Sequence, residues 1–234
     1  MASTGVDDEP VAGRCYHAHP CPSAAIAPTS QHMIHTALFD LGKVLLDWDP
    51  RYYYARYFPA DDEGLEHFMR HVIPTEWIVE MDAGKPAAQA IPERQSLFPQ
   101  HADLIGRWSE GWPVMLRGEI EGTADIIRTL KARGIRLYAL TNFSAETFPI
   151  AMARCPTLHL FEDIVVSGDI QLIKPDPRIY AHAIRQCSLE PQRTVFIDDS
   201  MPNVEAGNAA GLKALHFSSV EKLRDDLLAL GLQV

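Results

Sequence analysis

The chain has 234 residues, 47% of them hydrophobic, which is enough apolar surface for one globular domain with an inserted subdomain. Its formal net charge of -10, with no basic patch, excludes nucleic acid and anionic membranes as natural partners and points to a small-molecule substrate. No apolar run is long enough to span a bilayer.

Residues 1–32 mix Pro, Ala, Ser, Asp and His without helical or strand period, so a disordered tail is expected. The tail carries Cys15, His17, His19 and Cys21, but no second ligand pair follows at zinc spacing. With Cys155 and Cys187 far downstream and no CxxC pair, the cysteines fit a reduced, cytoplasmic protein. The N-terminus lacks the basic and apolar segments of a secretory signal. Residues 34–39 are a short, largely apolar run that stops at Asp40, which predicts a buried strand. From Tyr52 to about Met115 the period is helical but broken by Pro59, Pro74, Pro86, Pro92, Pro99 and Pro113, which predicts several short helices. Beyond Gly118 the rhythm changes. A helix is expected over 120–133, stopped by Gly134, then a strand over 135–140 and a helix from about Ala145. A short strand over 164–166, a helix over 178–186 and a strand over 194–197 follow. A helix over 201–210, a strand over 212–217 and a helix over 220–230 complete the chain. Alternating strands and helices imply an α/β fold, a parallel sheet with helices on both faces.

In such sheets ligands sit beyond the carboxyl ends of the strands. The residues there are Asp40, Thr141 with Asn142, and Asp198-Asp199-Ser200, while a later loop brings Lys174-Pro175. A carboxylate such as Asp40 can attack phosphorus or carbon and form a covalent intermediate. A dianionic phosphate would repel it, so a cation is needed, and Mg²⁺ takes oxygen ligands from one or two carboxylates and the phosphate itself. Asp40 with Asp198 or Asp199 can supply them. Thr141 and the amides opening the next helix can hold phosphate oxygens, and Lys174 can offset the charge that spreads over the transferring group.

The run Leu38-Phe39-Asp40-Leu41-Gly42-Lys43-Val44-Leu45-Leu46-Asp47 resembles the first motif of the haloacid dehalogenase superfamily. Leu140-Thr141-Asn142 resembles the second motif and Ile173-Lys174-Pro175-Asp176-Pro177-Arg178-Ile179-Tyr180 the third. Val195-Phe196-Ile197-Asp198-Asp199-Ser200, with Asn203 and Gly207, resembles the fourth. Four motifs in order cover about residues 34–230. The resemblance implies a Rossmann-like, doubly wound core (33–50 and 118–234) and a small helical cap (51–117). It also implies Asp40 as nucleophile and a substrate site of Gly42, Thr141, Asn142 and Lys174. The implied magnesium site comprises Asp40, the Gly42 carbonyl, Asp198 and Asp199.

One position departs from the pattern. Phosphatases of the superfamily usually carry a second Asp two residues after the nucleophile, as the acid and base; here it is Gly42. Losing such a group typically costs about 10²–10⁴ in rate. Three readings follow: a phosphatase of small phosphate esters, similar to sugar-phosphate phosphatases that also read Asp-Leu-Gly; a 2-haloacid dehalogenase, whose halide needs no proton; or a binding protein that keeps the fold. The paired Asp198 and Asp199 favour the phosphatase. Asp47 and Asp49 read as linker caps, and Trp77, Trp108 and Trp112 as core rather than a sugar platform. The turn Asp82-Ala83-Gly84-Lys85 is a candidate for substrate selection. Arg70 reads as a solvated helix residue and Tyr180 as packing.

Overall fold

The computed structural model describes residues 1–2 and 33–234. The expected tail, with Cys15, His17, His19 and Cys21, therefore lies outside the described residues, apart from its first two positions. The strands are β1 (Thr36–Phe39), β2 (Leu46–Trp48), β3 (Leu116–Glu119), β4 (Arg136–Thr141), β5 (Asp163–Val166), β6 (Thr194–Asp198) and β7 (Lys213–His216). Five of them pair in parallel in the order β5-β4-β1-β6-β7. The chain runs from β1 to one side through β4 and β5, then returns to the other side for β6 and β7. The order reverses beside β1, and the crevice at its carboxyl end is where open α/β sheets place ligands.

β1 is central and all four of its residues are buried. Its side chains alternate between two cores. Ala37 and Phe39 face one core, which also takes in the helical segment. Leu38 faces the other, with Tyr138, Leu140 and Phe196 from neighbouring strands and Ile179, Tyr180 and Ala183 from helix Pro177–Gln186. Burying each such large apolar side chain contributes about 1.5–3 kcal/mol. Helix Glu121–Ala132 shows the same logic, with Thr123, Ile126, Ile127 and Leu130 on one buried face and a stop at Gly134, whose φ is 79°.

The antiparallel ribbon of β2 and β3 is an element the sequence reading lacks. Both strands are short and mostly half-exposed, so neither has a readable period. Their pairing shifts register between Asp47 and Trp48, opposite Gly118, whose φ of 139° suits a bulge only glycine accommodates easily. This ribbon carries the chain out of the sheet edge and back. Between its strands lie six helices and several single turns, from Arg51–Tyr54 to Trp108–Met115.

Two prolines behave otherwise than expected. Pro74, Pro86 and Pro99 stand at helix starts, but Pro92 and Pro113 lie inside helices Ala87–Leu97 and Trp108–Met115. Pro92 deprives only the carbonyl of Ala88, an exposed residue whose oxygen water can satisfy. The helix expected from about Ala145 begins at Phe148, because Ser144 accepts from the Thr147 and Phe148 amides and holds a turn. No helix of the described residues is long and apolar enough to cross a membrane.

Candidate active site

Register brings the first and fourth motifs together. Phe39 pairs with Ile197 across β1 and β6, so the next residues, Asp40 and Asp198, finish side by side. The Asp40 amide donates to the Ile197 carbonyl at 2.8 Å, extending the ladder by one bond. Asp40 Oδ1 accepts from the Leu41 amide at 2.7 Å and lies 2.8 Å from Lys174 Nζ. Lys174 Nζ also donates to Asp198 Oδ2 at 2.6 Å. Asp198 Oδ1 accepts from the Ser200 amide and from Asn203 Nδ2, each at 2.9 Å. Asp198 is therefore engaged at both oxygens, while Asp40 has one oxygen pinned and Oδ2 left to act.

These charges are buried: Lys174 is 3% exposed, Asp198 0% and Asp40 7%. A buried charge is tolerated only when paired and hydrogen-bonded, so the three depend on one another. Asn142, at the end of β4, clasps the Lys174 backbone, accepting from its amide at 2.8 Å and donating to its carbonyl at 3.0 Å. Asn142 thus positions the lysine. Thr141, 1% exposed, closes the same strand beside it.

Three carboxylates face one ammonium here. Burial raises the Asp40 carboxyl above its ordinary range; Lys174 opposes this, and the charge of Asp198 adds to it. Burial lowers Lys174, but Asp40 and Asp198 more than compensate, so its ammonium is held above the usual lysine range. Asp199 is raised by burial and then by Asp198, with Lys43 and Lys174 opposing. The excess negative charge favours a cation. One oxygen each from Asp40, Asp198 and Asp199 lie within 4.8 Å of one another, an all-oxygen set that suits a hard divalent ion such as Mg²⁺.

A cavity of about 220 Å³ opens between this sheet edge and the helical segment, with Gly42 and Asn142 in its lining. A Cβ placed on Gly42 would meet nothing within 4 Å, so the missing side chain leaves open space. The walls are largely apolar, from Trp48, Ile78, Met81, Trp108, Trp112 and Ile150. Trp108 and Trp112 are thus both core and wall, and Trp77 is core, its indole donating to the Ala90 carbonyl. The walls from Trp48, Phe143 and Ile150 are ones the sequence reading lacks. Trp48 closes the ribbon strand β2, Phe143 directly follows the second motif, and Ile150 lies in the helix Phe148–Arg154 beyond it.

Asp82 also lines this cavity. The turn it opens is pressed onto the sheet edge: the Asp82 carbonyl accepts from Ser167 Oγ at 2.6 Å. Gly84 (φ 98°) approaches the Gly168 carbonyl so closely that a Cβ would lie 3.1 Å from it. Burial pushes the Asp82 carboxyl up to about 7; the Ser144 amide opposes this, and the charge of Asp40 adds to it. Lys85, from the same turn, is bound by Glu80 and Glu93.

The remaining candidates have other partners. Asp47 accepts from the Tyr52 hydroxyl at 2.6 Å, and Asp49 accepts from the Arg51 amide at 2.8 Å. Tyr180 is buried and donates to the Asn203 carbonyl at 3.0 Å. Arg70 is exposed beside Glu66 and His67 on the outer surface.

Comparison with known proteins accords with this geometry. A sesquiterpene phosphatase, astK, of Aspergillus oryzae is 27% identical over 78% of this chain and 89% of its own length. A phosphorylated carbohydrates phosphatase of Thermotoga maritima is 24% identical over 82% of this chain and 88% of its own. The HAD family enzyme bt-2542 of Bacteroides thetaiotaomicron, solved with magnesium and inorganic phosphate, superposes with a TM-score of 0.60 at 18% identity, over 79% of this chain and 94% of that one. The haloacid dehalogenase-like hydrolase description matches residues 6–211, and the chain belongs to that family.

Proposed function

We propose that the chain is a magnesium-dependent phosphatase of a phosphate monoester, with Asp40 as nucleophile. The observation that carries this reading is the Asp40–Lys174–Asp198 cluster at the sheet's carboxyl edge, with Asp199 beside it. Asp40, Asp199 and the Gly42 carbonyl would hold the ion, and Asp198, gripped by Lys174, Ser200 and Asn203, would complete the acidic set around it. Bound there, magnesium would offset the charge of the phosphate and of the crowded carboxylates.

Asp40 Oδ2 attacks phosphorus, and the phosphorus–alcohol oxygen bond breaks as the aspartyl bond forms. Lys174 and Thr141 hold the phosphoryl oxygens. Asp82 supplies what Gly42 lacks. Its carboxyl, half protonated near neutrality, lies on the cavity wall and gives its proton to the departing alcohol oxygen. It then takes a proton from the water that attacks phosphorus, frees Asp40 and releases inorganic phosphate. The helical segment acts as a cap that excludes bulk water from the transfer.

The magnesium and phosphate bound by the Bacteroides neighbour support the metal, and the names of the two phosphatase relatives support the ester. Those relatives run from a hydrocarbon to a carbohydrate substrate. The test is inorganic phosphate release from aryl, alkyl and sugar phosphates, with magnesium and with EDTA. Release that requires magnesium and disappears in Asp40→Asn is expected. Turnover that survives EDTA, or survives that substitution, would remove the proposal.

A further inference from the structure

We infer that the cavity beside Asp40 is built for an uncharged hydrocarbon, so that the substrate is the phosphate ester of an apolar alcohol rather than of a sugar or a hydroxy acid. This rests on the phosphatase reading above and assigns its substrate class. The wall is the first argument. Trp48, Ile78, Met81, Trp108, Trp112 and Ile150 come from the ribbon, the helical segment and the core, and converge on one space. The aromatic rings are fixed against each other: Trp48 meets Trp108 edge-on at 6.4 Å, and Trp112 meets Phe143 at 5.5 Å. Such rings offer apolar area at little cost in side-chain entropy.

Charge is the second argument. Among the described residues, no arginine or lysine lines the cavity, whereas Asp82 and Glu146 do. A leaving group with its own carboxylate would find two carboxyl groups on the wall and no cation among its lining residues. Lys85, the nearest cation on the turn beside Asp82, is bound by Glu80 and Glu93. Sugar hydroxyls would find partners on only part of the wall, at Ser109, Asn142, Ser144 and Thr147; against its indole and aliphatic part each would surrender water, and a buried hydroxyl without a partner is costly. Gly42 supplies the third argument. It lines the cavity two residues after Asp40, and with nothing within 4 Å of its Cβ position no side chain there narrows the chamber.

Burial of each methylene is worth roughly fourfold in binding, so a chain-length series is the sensitive test. Phosphate release is measured with magnesium for ethyl, butyl, hexyl, octyl and geranyl phosphates, for glucose 6-phosphate and phosphoglycolate, and for p-nitrophenyl phosphate as the reporter of basal competence. In parallel, ethylphosphonate and octylphosphonate are titrated against tryptophan fluorescence, a readout that needs no turnover. The expected result is a kcat/KM that rises at least 100-fold from ethyl to octyl phosphate and exceeds that of both polar esters. Octylphosphonate should bind at least tenfold more tightly than ethylphosphonate, and Ile78→Asp and Ile150→Asp should flatten both series. A flat series, or glucose 6-phosphate or phosphoglycolate as the best ester, would overturn the inference. No release from any ester, p-nitrophenyl phosphate included, would overturn the phosphatase reading alone. The phosphonate titration would still judge the chamber, supporting it if octylphosphonate binds preferentially and overturning it if the two bind equally.

Discussion

The edge of the sheet and the roof above it are built on opposite principles. At the edge, Asp40, Lys174 and Asp198 are charged, buried and bound to one another, and each oxygen of Asp198 has an assigned donor. The two aspartates follow from strand register, which cannot drift without moving every side chain of a strand, and the Asn142 clasp fixes Lys174 between them. In the roof, Ile78 and its neighbours are largely apolar and held mainly by packing, with a few hydrogen bonds such as that of the Asp82 carbonyl to Ser167, on helices flanked by two short strands. On the proposed reading, chemistry sits where geometry is least adjustable, and selection sits where a change of volume is tolerated. This is how one fold can keep a reaction while changing its substrate.

The sharpest way to break this comparison is at Asp40, the proposed nucleophile. Asp40→Asn is expected to lower kcat by roughly 10⁴–10⁶-fold, as removal of a nucleophile does elsewhere. Its thermal midpoint should not fall. The Asp40 carboxyl is raised by burial, so its charge opposes folding at neutral pH, and Lys174 keeps Asp198 as a partner. A stability loss alongside the activity loss would mean that the edge is held by Asp40 itself. Lys174→Met tests the reverse. It leaves two buried carboxylates without their cation, and breaking such a pair destabilises by about 3–5 kcal/mol. Urea denaturation without metal would show it, and an unchanged midpoint would refute the dependence of the buried carboxylates on Lys174.

The two regions also differ in how far the sequence exposes them. The edge was legible because a short apolar strand that stops at an acid is a local pattern, and β1, β4 and β6 each end in their motif residues. Asn142 and Asn203 were visible as motif members, but not as the clasp on Lys174 and the donor to Asp198, since those contacts join distant segments. The roof was legible only as helix. Ribbon strands β2 and β3 are three and four residues long and lie on either side of the whole helical segment, so no window contains both. Trp108 and Trp112 follow helical spacing and read as core, which they are. That they also line a cavity depends on where Phe143 and Ile150 arrive, and packing across elements leaves no periodic trace.

Asp82 belongs to both regions, carried by the roof but facing the edge. Asp82→Asn is expected to lower turnover of alkyl phosphates by about 10²–10³-fold, within the usual range for a general acid. Turnover of p-nitrophenyl phosphate should fall far less, because that leaving group departs without a proton. Equal losses on both esters would assign Asp82 a structural part instead. Gly42→Asp sharpens the test, since its side chain enters open space. Combined with Asp82→Asn, it should restore part of the alkyl phosphate activity.

The smallest expected effect concerns stability against pH. The Asp82 carboxyl is pushed up from 3.8 to about 7 in the folded protein, chiefly by burial. Between those values the folded state holds a proton that the unfolded chain releases. The contribution is therefore fully present below about pH 4 and is lost as pH rises through about 7. Asp40 and Asp199 are also raised, so the wild-type slope alone cannot be assigned to one residue. The difference between wild type and Asp82→Asn can be. In metal-free buffer, the drop in thermal midpoint between pH 5 and pH 7.5 should be smaller in the variant by about 5–10 °C, since one proton over roughly two pH units is worth about 2.5 kcal/mol and each kcal/mol shifts a protein of this size by about 2–4 °C. Identical drops would mean that the Asp82 carboxyl reaches solvent. A smaller drop in the variant would show that burial holds this carboxyl protonated near neutrality, the state a general acid needs.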